Sequence, residues 1–142
     1  MEYIIRESNI NDYERIAYIC KTSLGYEKDP DFVKERLSTL DNSEKVFVAE
    51  ANSKVVGFIH VSKYKLLFDD LYINILGIAV DNDYKHNGIG RALINESEKW
   101  ARSINAKGIR LNSGIVREEA HAFYRKLGFN NEKEQIRFHK DF

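Results

Sequence analysis

A short loop with two glycines joins an apolar run to an amphipathic helix in the second half of the chain. Residues 73–80 are almost wholly apolar and are bounded by polar turn residues, which predicts a buried strand. From Ile89 onward, apolar residues recur every three to four positions, which predicts a helix. The first backbone N–H groups of any helix have no intrahelical partner and lie at the positive end of its dipole. Because Gly88 and Gly90 lack a Cβ, an anion can approach the main chain closely at the start of this helix. The sequence therefore predicts a site for a phosphorylated cofactor.

Two glycines alone often do no more than turn a chain, so the surrounding residues have to identify the loop. The Rossmann fingerprint has three glycines early in a βαβ unit and the P-loop ends in Gly-Lys-Ser/Thr, and the chain contains neither pattern. The segment resembles the coenzyme-A-binding motif Arg/Gln-x-x-Gly-x-Gly/Ala of the GNAT superfamily of N-acetyltransferases, with Lys85, Gly88 and Gly90 at its three defining places. Lysine keeps the positive charge of arginine but lacks its planar fork, so the side-chain contact departs from the pattern.

A second motif follows in the order that the family shows. The segment from Ala120 to Phe129 resembles the signature A-x-x-F-Y-x-x-x-G-F, with Phe123 and Tyr124 as its central pair. Arg117 stands where many relatives have asparagine, and the resulting string R-x-x-A-H-x-F-Y resembles a branch with aminoglycoside-, polyamine- and histone-acetyltransferase-like members. By these two motifs the chain is identified as a member of the GNAT superfamily.

The resemblance implies a single N-acetyltransferase domain over residues 1–142, a length that suits one domain of common size. The implied fold is α/β: a mixed, mostly antiparallel sheet of about six to seven strands flanked by about four helices. In that fold the strands predicted at Tyr72–Val80 and Ile109–Ser113 splay apart, and the pantetheine arm of coenzyme A lies between them. The predicted order is β-α-α-β-β-β-α-β-α-β, with Gln135–Lys140 as the last strand.

The first half of the chain matches this order through its predicted elements. Tyr3–Arg6 is typical of a strand, and a helix over residues 13–20 follows. Asp31 is the predicted cap of a second helix. Asn52-Ser53 predicts the turn of a hairpin. Gly77, inside the strand before the glycine loop, marks either a bulge or a packing position.

The resemblance assigns the cofactor to the end of that strand, to the glycine loop and to the later helix. The implied cofactor is acetyl-coenzyme A, used as a co-substrate. Main-chain N–H groups of the loop would hold its pyrophosphate, with a local basic rim around them. The residues implied to contact it are Ile78, Ala79, Val80, Lys85, His86, Asn87, Gly88, Ile89, Gly90, Arg91, Asn112, Phe123 and Tyr124.

Transfer of an acetyl group from a thioester to an amine requires a neutral amine, stabilisation of the developing oxyanion and a proton for the departing thiolate. No protein nucleophile is needed, so the enzyme mainly positions two substrates. The resemblance assigns proton donation to Tyr124, whose phenol is of a type that is protonated at neutral pH. Asn74 stands where many relatives carry a glutamate base, and an amide cannot take up a proton. Asn74 could hold a relaying water, the amine could arrive neutral, or the base could be His121, Glu118 or Glu119.

Composition excludes several classes of partner. Lysine plus arginine equal aspartate plus glutamate at 22 each and no dense basic block occurs, so a nucleic-acid partner is not expected. The single cysteine, Cys20, lies in an apolar-periodic stretch, which predicts a core thiol in a protein of the reducing cytoplasm. Charges appear from Glu2 onward, which argues against a signal or membrane segment. The four histidines lack metal-ligand spacing, so no metal site is expected.

We therefore expect an acetyl-coenzyme-A-dependent N-acetyltransferase that acts on a primary amine of a small molecule or peptide, as a monomer or a homodimer. The alternative is a coenzyme-A-binding module without efficient turnover, because Asn74 and Lys85 depart from the family pattern. A third interpretation is a protein-interaction domain whose glycine loop is only a turn. Five acidic residues would either attract a cationic acceptor or merely form turns and caps: Glu27, Asp29, Asp31, Asp69 and Asp70. Four aromatic residues would either wall an acceptor pocket or simply pack: Tyr26, Phe32, Tyr64 and Tyr72.

Overall fold

The computed structural model describes residues 1–130 and 133–142. The chain forms two compact units, Met1–Leu111 and Asn112–Phe142. Among the described residues, every helix is too short or too polar to traverse a bilayer. The single domain expected over residues 1–142 stays a prediction.

The first unit is built on one sheet, in which the five strands of the described chain lie side by side in chain order. Neighbouring strands are antiparallel, except that the last two pair in parallel. The mixed, mostly antiparallel sheet predicted for this chain is thus confirmed. The strands are β1 (Ile4–Glu7), β2 (Glu44–Ala51), β3 (Lys54–Tyr64), β4 (Tyr72–Val80) and β5 (Gly108–Arg110).

Four α-helices occur in the part of the chain that the structure describes, which confirms the predicted number. Three belong to the first unit and the last to the second. Short 3₁₀ turns at Ile10–Asp12 and Asn82–Tyr84 and a π turn at Cys20–Leu24 adjoin them. The α-helices are α1 (Tyr13–Ile19), α2 (Pro30–Ser38), α3 (Ile89–Ser103) and α4 (Glu118–Lys126).

Side-chain caps explain where the first helical segments begin. The Asn9 side chain accepts a hydrogen bond from the Asn11 N–H at 3.0 Å. Asp12 accepts one from the Asn9 N–H at 2.8 Å, so a capping box opens the segment that leads into α1. The cap of α2 is Asp29 and not the predicted Asp31, because the Asp29 carboxylate accepts from the Asp31 N–H at 2.8 Å. Asp31 lies inside the first turn, where a negative charge meets the positive end of the helix dipole.

The predicted hairpin turn joins β2 to β3. Asn52 and Ser53 both have positive φ, 51° and 61°, and Ala51 pairs with Lys54 across the two residues. A two-residue turn of this kind twists in the same sense as the strands that it joins. The hairpin prediction is therefore confirmed, and it sets the register between β2 and β3.

Helices cover β3 on both faces. Phe58 points to one face, where it forms a buried cluster with Ile16 and Ile19 of α1. Gly57 points to the other face, where a Cβ would lie 3.0 Å from Ile89 of α3, so the missing side chain lets that helix approach the strand closely. A strand covered on both faces is expected to carry a near-continuous apolar run, as β3 does.

The sheet has fewer strands than predicted. The strand predicted at Gln135–Lys140 is wrong, because residues 133–142 adopt no regular secondary structure. The alternation of apolar and polar residues there is typical of a half-buried strand, but Ile136 and Phe138 are 79% and 86% exposed and have no core to face. The strand predicted at Ile109–Ser113 is also shorter, since its pairing with β4 covers only Gly108–Arg110.

Cys20 packs against the cluster under α1 and is partly buried, which confirms the prediction of a core thiol. Burial raises the pKa of this thiol. A raised pKa leaves little thiolate at neutral pH, so Cys20 is a packing residue and not a nucleophile.

Candidate active site

The strand before the glycine loop has one open edge. On the β3 side, pairing continues to Val80, with a bulge at Leu76. On the β5 side, pairing ends where Asn74 lies opposite Arg110. Residues 75–80 therefore have no second strand partner within the described sheet, and their main-chain groups can pair with the amides of an extended ligand. The predicted cofactor residues on this edge are Ile78, Ala79 and Val80.

Asp81 anchors the start of the glycine loop. Its side chain is 5% exposed, and the carboxylate pairs with the Arg15 guanidinium of α1 and accepts a hydrogen bond from the Asp83 N–H at 2.9 Å. The Asp81 N–H donates to the Val56 carbonyl oxygen at 2.8 Å, and Arg15 Nε donates to the Val55 carbonyl oxygen at 2.8 Å. Burial raises the pKa of this carboxyl, but the Asp83 hydrogen bond and Arg15 outweigh burial and hold the pKa below its usual range. Asp81 is thus an ionised anchor between helix, strand and loop.

The π turn that follows α1 holds the same point of the loop. Ser23 Oγ donates to the Val80 carbonyl oxygen at 2.8 Å, and Asn82 Nδ2 donates to the Thr22 carbonyl oxygen at 3.1 Å. Widened turns of this type recur at functional sites, because they redirect a few main-chain groups without ending the helical segment. Here the two hydrogen bonds connect the segment after α1 to the end of β4 and the start of the glycine loop.

The glycine loop itself curls tightly before α3. Asn87 Nδ2 donates to the carbonyl oxygens of Tyr84 and Lys85, both at 3.1 Å. His86 has a φ of 65°, and Gly88, the N-cap of α3, has a φ of 79°, a left-handed conformation that favours glycine. The glycine is therefore required by the turn that presents the start of the helix.

The N-terminus of α3 is open to an anion. Within the described residues it has no side-chain cap, and its first turn carries no acidic residue. Lys85, His86, Asn87 and Arg91 are exposed around it. Ile89 is 1% exposed and packs in the core, so only its main chain can contact a ligand.

Four polar residues lie in one row across the sheet, one on each strand from β2 to β5. Glu44 lies opposite Ser62, Ser62 opposite Asn74, and Asn74 opposite Arg110. Arg110 Nη1 donates to Asn74 Oδ1 at 2.7 Å, and the guanidinium lies 4.2 Å from the centre of the Tyr64 ring. Asn74, which stands where many relatives carry a glutamate, thus accepts a hydrogen bond from a cation.

A histidine outside the polar row contacts the carboxylate of the row, Glu44. His60 Nε2 is 2.6 Å from Glu44 Oε1. The two side chains are 32% and 25% exposed, so the pair is accessible and partly desolvated. The sequence analysis did not predict the pairing of His60 with Glu44. The alternation along β3 could have placed His60 on the same face as Ser62, but not beside a residue of β2.

The second unit carries the residue predicted to be the proton donor. Tyr124 on α4 packs edge to face against Phe123 and Phe129, with ring centres 5.4 Å and 5.8 Å away. Burial raises the pKa of the Tyr124 phenol, and the charge of Arg117 opposes this only in part. The phenol is therefore protonated at neutral pH, as a proton donor must be.

The other candidate bases sit in ordinary structural places in the second unit. His121 Nε2 donates to the Gly114 carbonyl oxygen at 2.9 Å, which fixes the start of α4. Glu118 and Glu119 are exposed in the first turn of that helix, where their charges stabilise its N-terminus. Asn112, a predicted cofactor contact, is exposed at the start of the unit.

Metal ligands do not cluster in the described part of the chain. The anchoring pair of Arg15 and Asp81 was not predicted, because 66 positions separate the two residues and neither lies in a recognisable motif. Arg110 was missed for the same reason, since only strand pairing brings it to Asn74.

Comparison with known proteins gives one consistent result. A model of the acetyltransferase (GNAT) family matches residues 7–129. An N-alpha-acetyltransferase of Sulfurisphaera tokodaii is 29% identical over 149 aligned positions, which cover 99% of this chain and 87% of that protein. The aminoglycoside N(6')-acetyltransferase type 1 of Stenotrophomonas maltophilia is 29% identical, covering 81% of this chain and 80% of that protein.

Solved structures share the fold. The structure of AAC(6')-Iy in complex with the bisubstrate analogue CoA-S-monomethyl-acetylneamine superimposes with a TM-score of 0.84 over the full length of both chains. At 18% sequence identity this similarity concerns the fold alone. The similarity therefore shows that this chain shares its fold with that protein.

Proposed function

Because the chain belongs to the acetyltransferase (GNAT) family, we propose that it transfers an acetyl group from acetyl-coenzyme A directly to a primary amine of a small molecule or peptide. One observation carries the proposal: an uncapped helix N-terminus, opened by Gly88 in a left-handed conformation, follows a strand with a free edge. This arrangement offers N–H donors for a pyrophosphate and main-chain partners for the amides of a pantetheine arm.

The glycine loop binds the pyrophosphate in this proposal. The N–H groups of the first turn of α3 supply neutral donors, Lys85 and Arg91 add exposed cationic side chains, and His86 is exposed beside them. The Arg15–Asp81 pair and the Ser23 hydrogen bond hold the loop in place before the ligand arrives. A loop held in this way loses little conformational entropy on binding.

Tyr124 provides the proton for the departing sulfur. Burial raises the pKa of its phenol, so Tyr124 keeps at neutral pH the proton that this role requires. Phe123 and Phe129 fix the ring of Tyr124 from two sides. Asn74 is held by Arg110 and orients polar groups on the sheet face without taking up a proton.

The acceptor is a cationic amine in this proposal. The relatives named above are an N-alpha-acetyltransferase and an aminoglycoside N(6')-acetyltransferase, and both names refer to acetylation of a nitrogen. The polar row and Tyr64 offer a carboxylate, an amide and an aromatic ring on one face of the sheet for such a group. The free thiol of Cys20 supports a reducing compartment such as the cytoplasm. A homodimer is compatible with these features.

A coenzyme-A-binding module without turnover is the second candidate, favoured by the Asn74–Arg110 hydrogen bond at the expected base position. Two measurements separate the candidates. Calorimetry with acetyl-coenzyme A should show one molecule bound per chain, and the absence of binding at millimolar ligand would reject both. Thiol release is then measured against polyamines, aminoglycosides, amino acids and peptides. Release above background with any amine supports the enzyme, and binding without release supports the module.

A further inference from the structure

We propose that His60 accepts the proton of the acceptor amine and that Glu44 orients its ring, an inference that rests on the acetyl transfer proposed above. The reaction needs a proton acceptor, because an ammonium nitrogen has no lone pair with which to attack a carbonyl carbon. Asn74, at the family's usual base position, cannot take up a proton, and its Oδ1 accepts from Arg110. The proton acceptor has therefore moved from β4 to the neighbouring strand.

His60 lies at the boundary between the apolar and polar parts of one sheet face. Phe58, His60 and Ser62 alternate along β3 and share the face that α1 covers. Phe58 belongs to the buried cluster beneath α1, whereas Ser62 belongs to the polar row. The imidazole is thus partly desolvated yet remains within reach of a polar ligand on the same face.

Gly77 leaves room between His60 and the open edge of β4. His60 pairs with Gly77, directly after the bulge at Leu76. A Cβ at Gly77 would have Phe58 as its nearest neighbour, at 3.9 Å, so this position points to the same face as His60 and is not crowded. An amine seated over Gly77 would lie beside the His60 ring and next to the strand edge proposed to hold the thioester. The glycine predicted to mark a bulge or a packing position thus adjoins a bulge and opens a path.

Glu44 decides which nitrogen of His60 accepts the proton. The carboxylate can only accept a hydrogen bond, so Nε2 donates to it and Nδ1 keeps its lone pair. After proton transfer, both ring nitrogens carry a proton, and Nε2 keeps its hydrogen bond to Glu44. Glu44 is therefore a positioning residue in this scheme, and His60 is the group that meets the substrate.

The protons and electron pairs of the proposed step balance. His60 Nδ1 takes one proton from the ammonium, and the freed lone pair forms the N–C bond to the carbonyl carbon. The C–S bond breaks and its electron pair leaves with the sulfur, which receives a proton from Tyr124. The nitrogen loses its second proton as the amide forms, and this proton replaces the one that Tyr124 donated. His60 returns its proton to solvent.

The test compares His60→Gln with the wild-type protein. Glutamine keeps a hydrogen-bond donor for Glu44 but cannot take up a proton. With the best amine of the panel, we expect kcat to fall about 100- to 10,000-fold, the usual contribution of a general base, with unchanged Kd for acetyl-coenzyme A. With a hydrazide of the same acceptor, whose terminal nitrogen is already neutral at pH 7, the loss should shrink to less than about tenfold.

His139→Gln is the matched control, since His139 also lies beside a carboxylate, Asp141 at 3.3 Å, but is exposed. It should retain full turnover. Glu44→Gln should give a smaller loss than His60→Gln, again larger for the amine than for the hydrazide. The thermal unfolding midpoint of each variant is measured alongside, so that a folding defect is recognised.

Two outcomes would overturn the proposal. Unchanged turnover in His60→Gln would show that no proton passes through this ring. Equal losses on the amine and the hydrazide, in a folded variant that binds the cofactor, would show that His60 only shapes the site. Failure of the acetyl transfer itself is seen separately, because the wild-type protein would then release no thiol with any amine.

Discussion

The glycine loop and the polar row differ in how the chain builds them. The loop residues from Asp81 to Gly90 are contiguous, and the turn and the helix N-terminus that they form arise from local backbone geometry. The polar row takes one residue from each of four strands, and only strand pairing places these residues side by side. A contiguous element can be recognised from its residues, whereas an assembled one becomes visible only when the sheet is known. Substitutions in each region can test how far this distinction extends to function.

The largest effect on cofactor binding is expected from Gly88→Asp. The new carboxylate would stand at the start of α3, where the pyrophosphate is proposed to bind, and would repel it. We expect the Kd for acetyl-coenzyme A to rise roughly 100-fold or more, about 2.7 kcal/mol in binding free energy, as measured by calorimetry. Gly25→Asp is the matched control, because Gly25 has nearly the same φ, 78°, and lies outside the loop. Similar losses in both variants would point to backbone strain and away from a phosphate site.

Tyr124→Phe should separate binding from chemistry. The variant keeps the ring between Phe123 and Phe129 and removes the proton. We expect turnover to fall roughly ten- to ten-thousand-fold while the Kd for acetyl-coenzyme A changes little, as steady-state kinetics and calorimetry would show. Tyr18→Phe, at a residue that is 45% exposed, serves as the control. Turnover at the wild-type level would mean that the thiolate leaves without Tyr124.

Arg15→Met tests the ion pair with Asp81, which connects α1 to the start of the glycine loop. The substitution leaves the buried Asp81 carboxylate without its cationic partner, and we expect a loss of about 2 to 3 kcal/mol in the free energy of unfolding at pH 7. Denaturant unfolding measures it, with Arg102→Met on the exposed surface of α3 as the control. A loss in unfolding free energy no greater than in the control would show that the ion pair does not stabilise the protein.

The same pair predicts a pH dependence. The pKa of Asp81 lies below its usual range, so the stability that its ionised form contributes is present above the unfolded pKa of about 3.9 and is lost as pH falls through the folded pKa. The difference in unfolding free energy between wild type and Arg15→Met should therefore shrink below about pH 4. A difference that stays constant down to pH 2 would assign the effect to packing of the arginine stem.

The smallest effect is expected from Lys85→Ala. If the main chain of the loop carries most of the phosphate binding, removal of one exposed charge should raise the Kd for acetyl-coenzyme A only about two- to tenfold. Lys99→Ala, on an exposed part of α3, is the control. A loss as large as that of Gly88→Asp would instead assign the pyrophosphate mainly to the lysine side chain.

Much of the fold could be predicted because its signals are local. The alternation and apolar runs predicted β1 to β4, Asn52-Ser53 predicted the hairpin, and the spacing from Ile89 predicted α3. The predicted strand at Gln135–Lys140 shows the limit of such signals. Its alternation is the local pattern of a strand, but a strand also needs a neighbouring strand to pair with and a core in which to bury its apolar side chains. Ile136 and Phe138 are exposed.

The sequence by itself determined the glycine loop, the helix with the Phe123–Tyr124 pair and the family, since each depends on neighbouring residues whose spacing is set by one turn or one helix. Only the tertiary structure decided that Arg15 holds Asp81, that Arg110 holds Asn74 and that Glu44 meets His60. Each pair joins residues from separate elements of the chain. Where the strands contribute, the pairing depends on strand register and on a bulge, which no local pattern encodes. The physical reason is that local geometry positions a backbone, whereas a charge or a hydrogen-bonding side chain acquires its partner only when separate elements pack together.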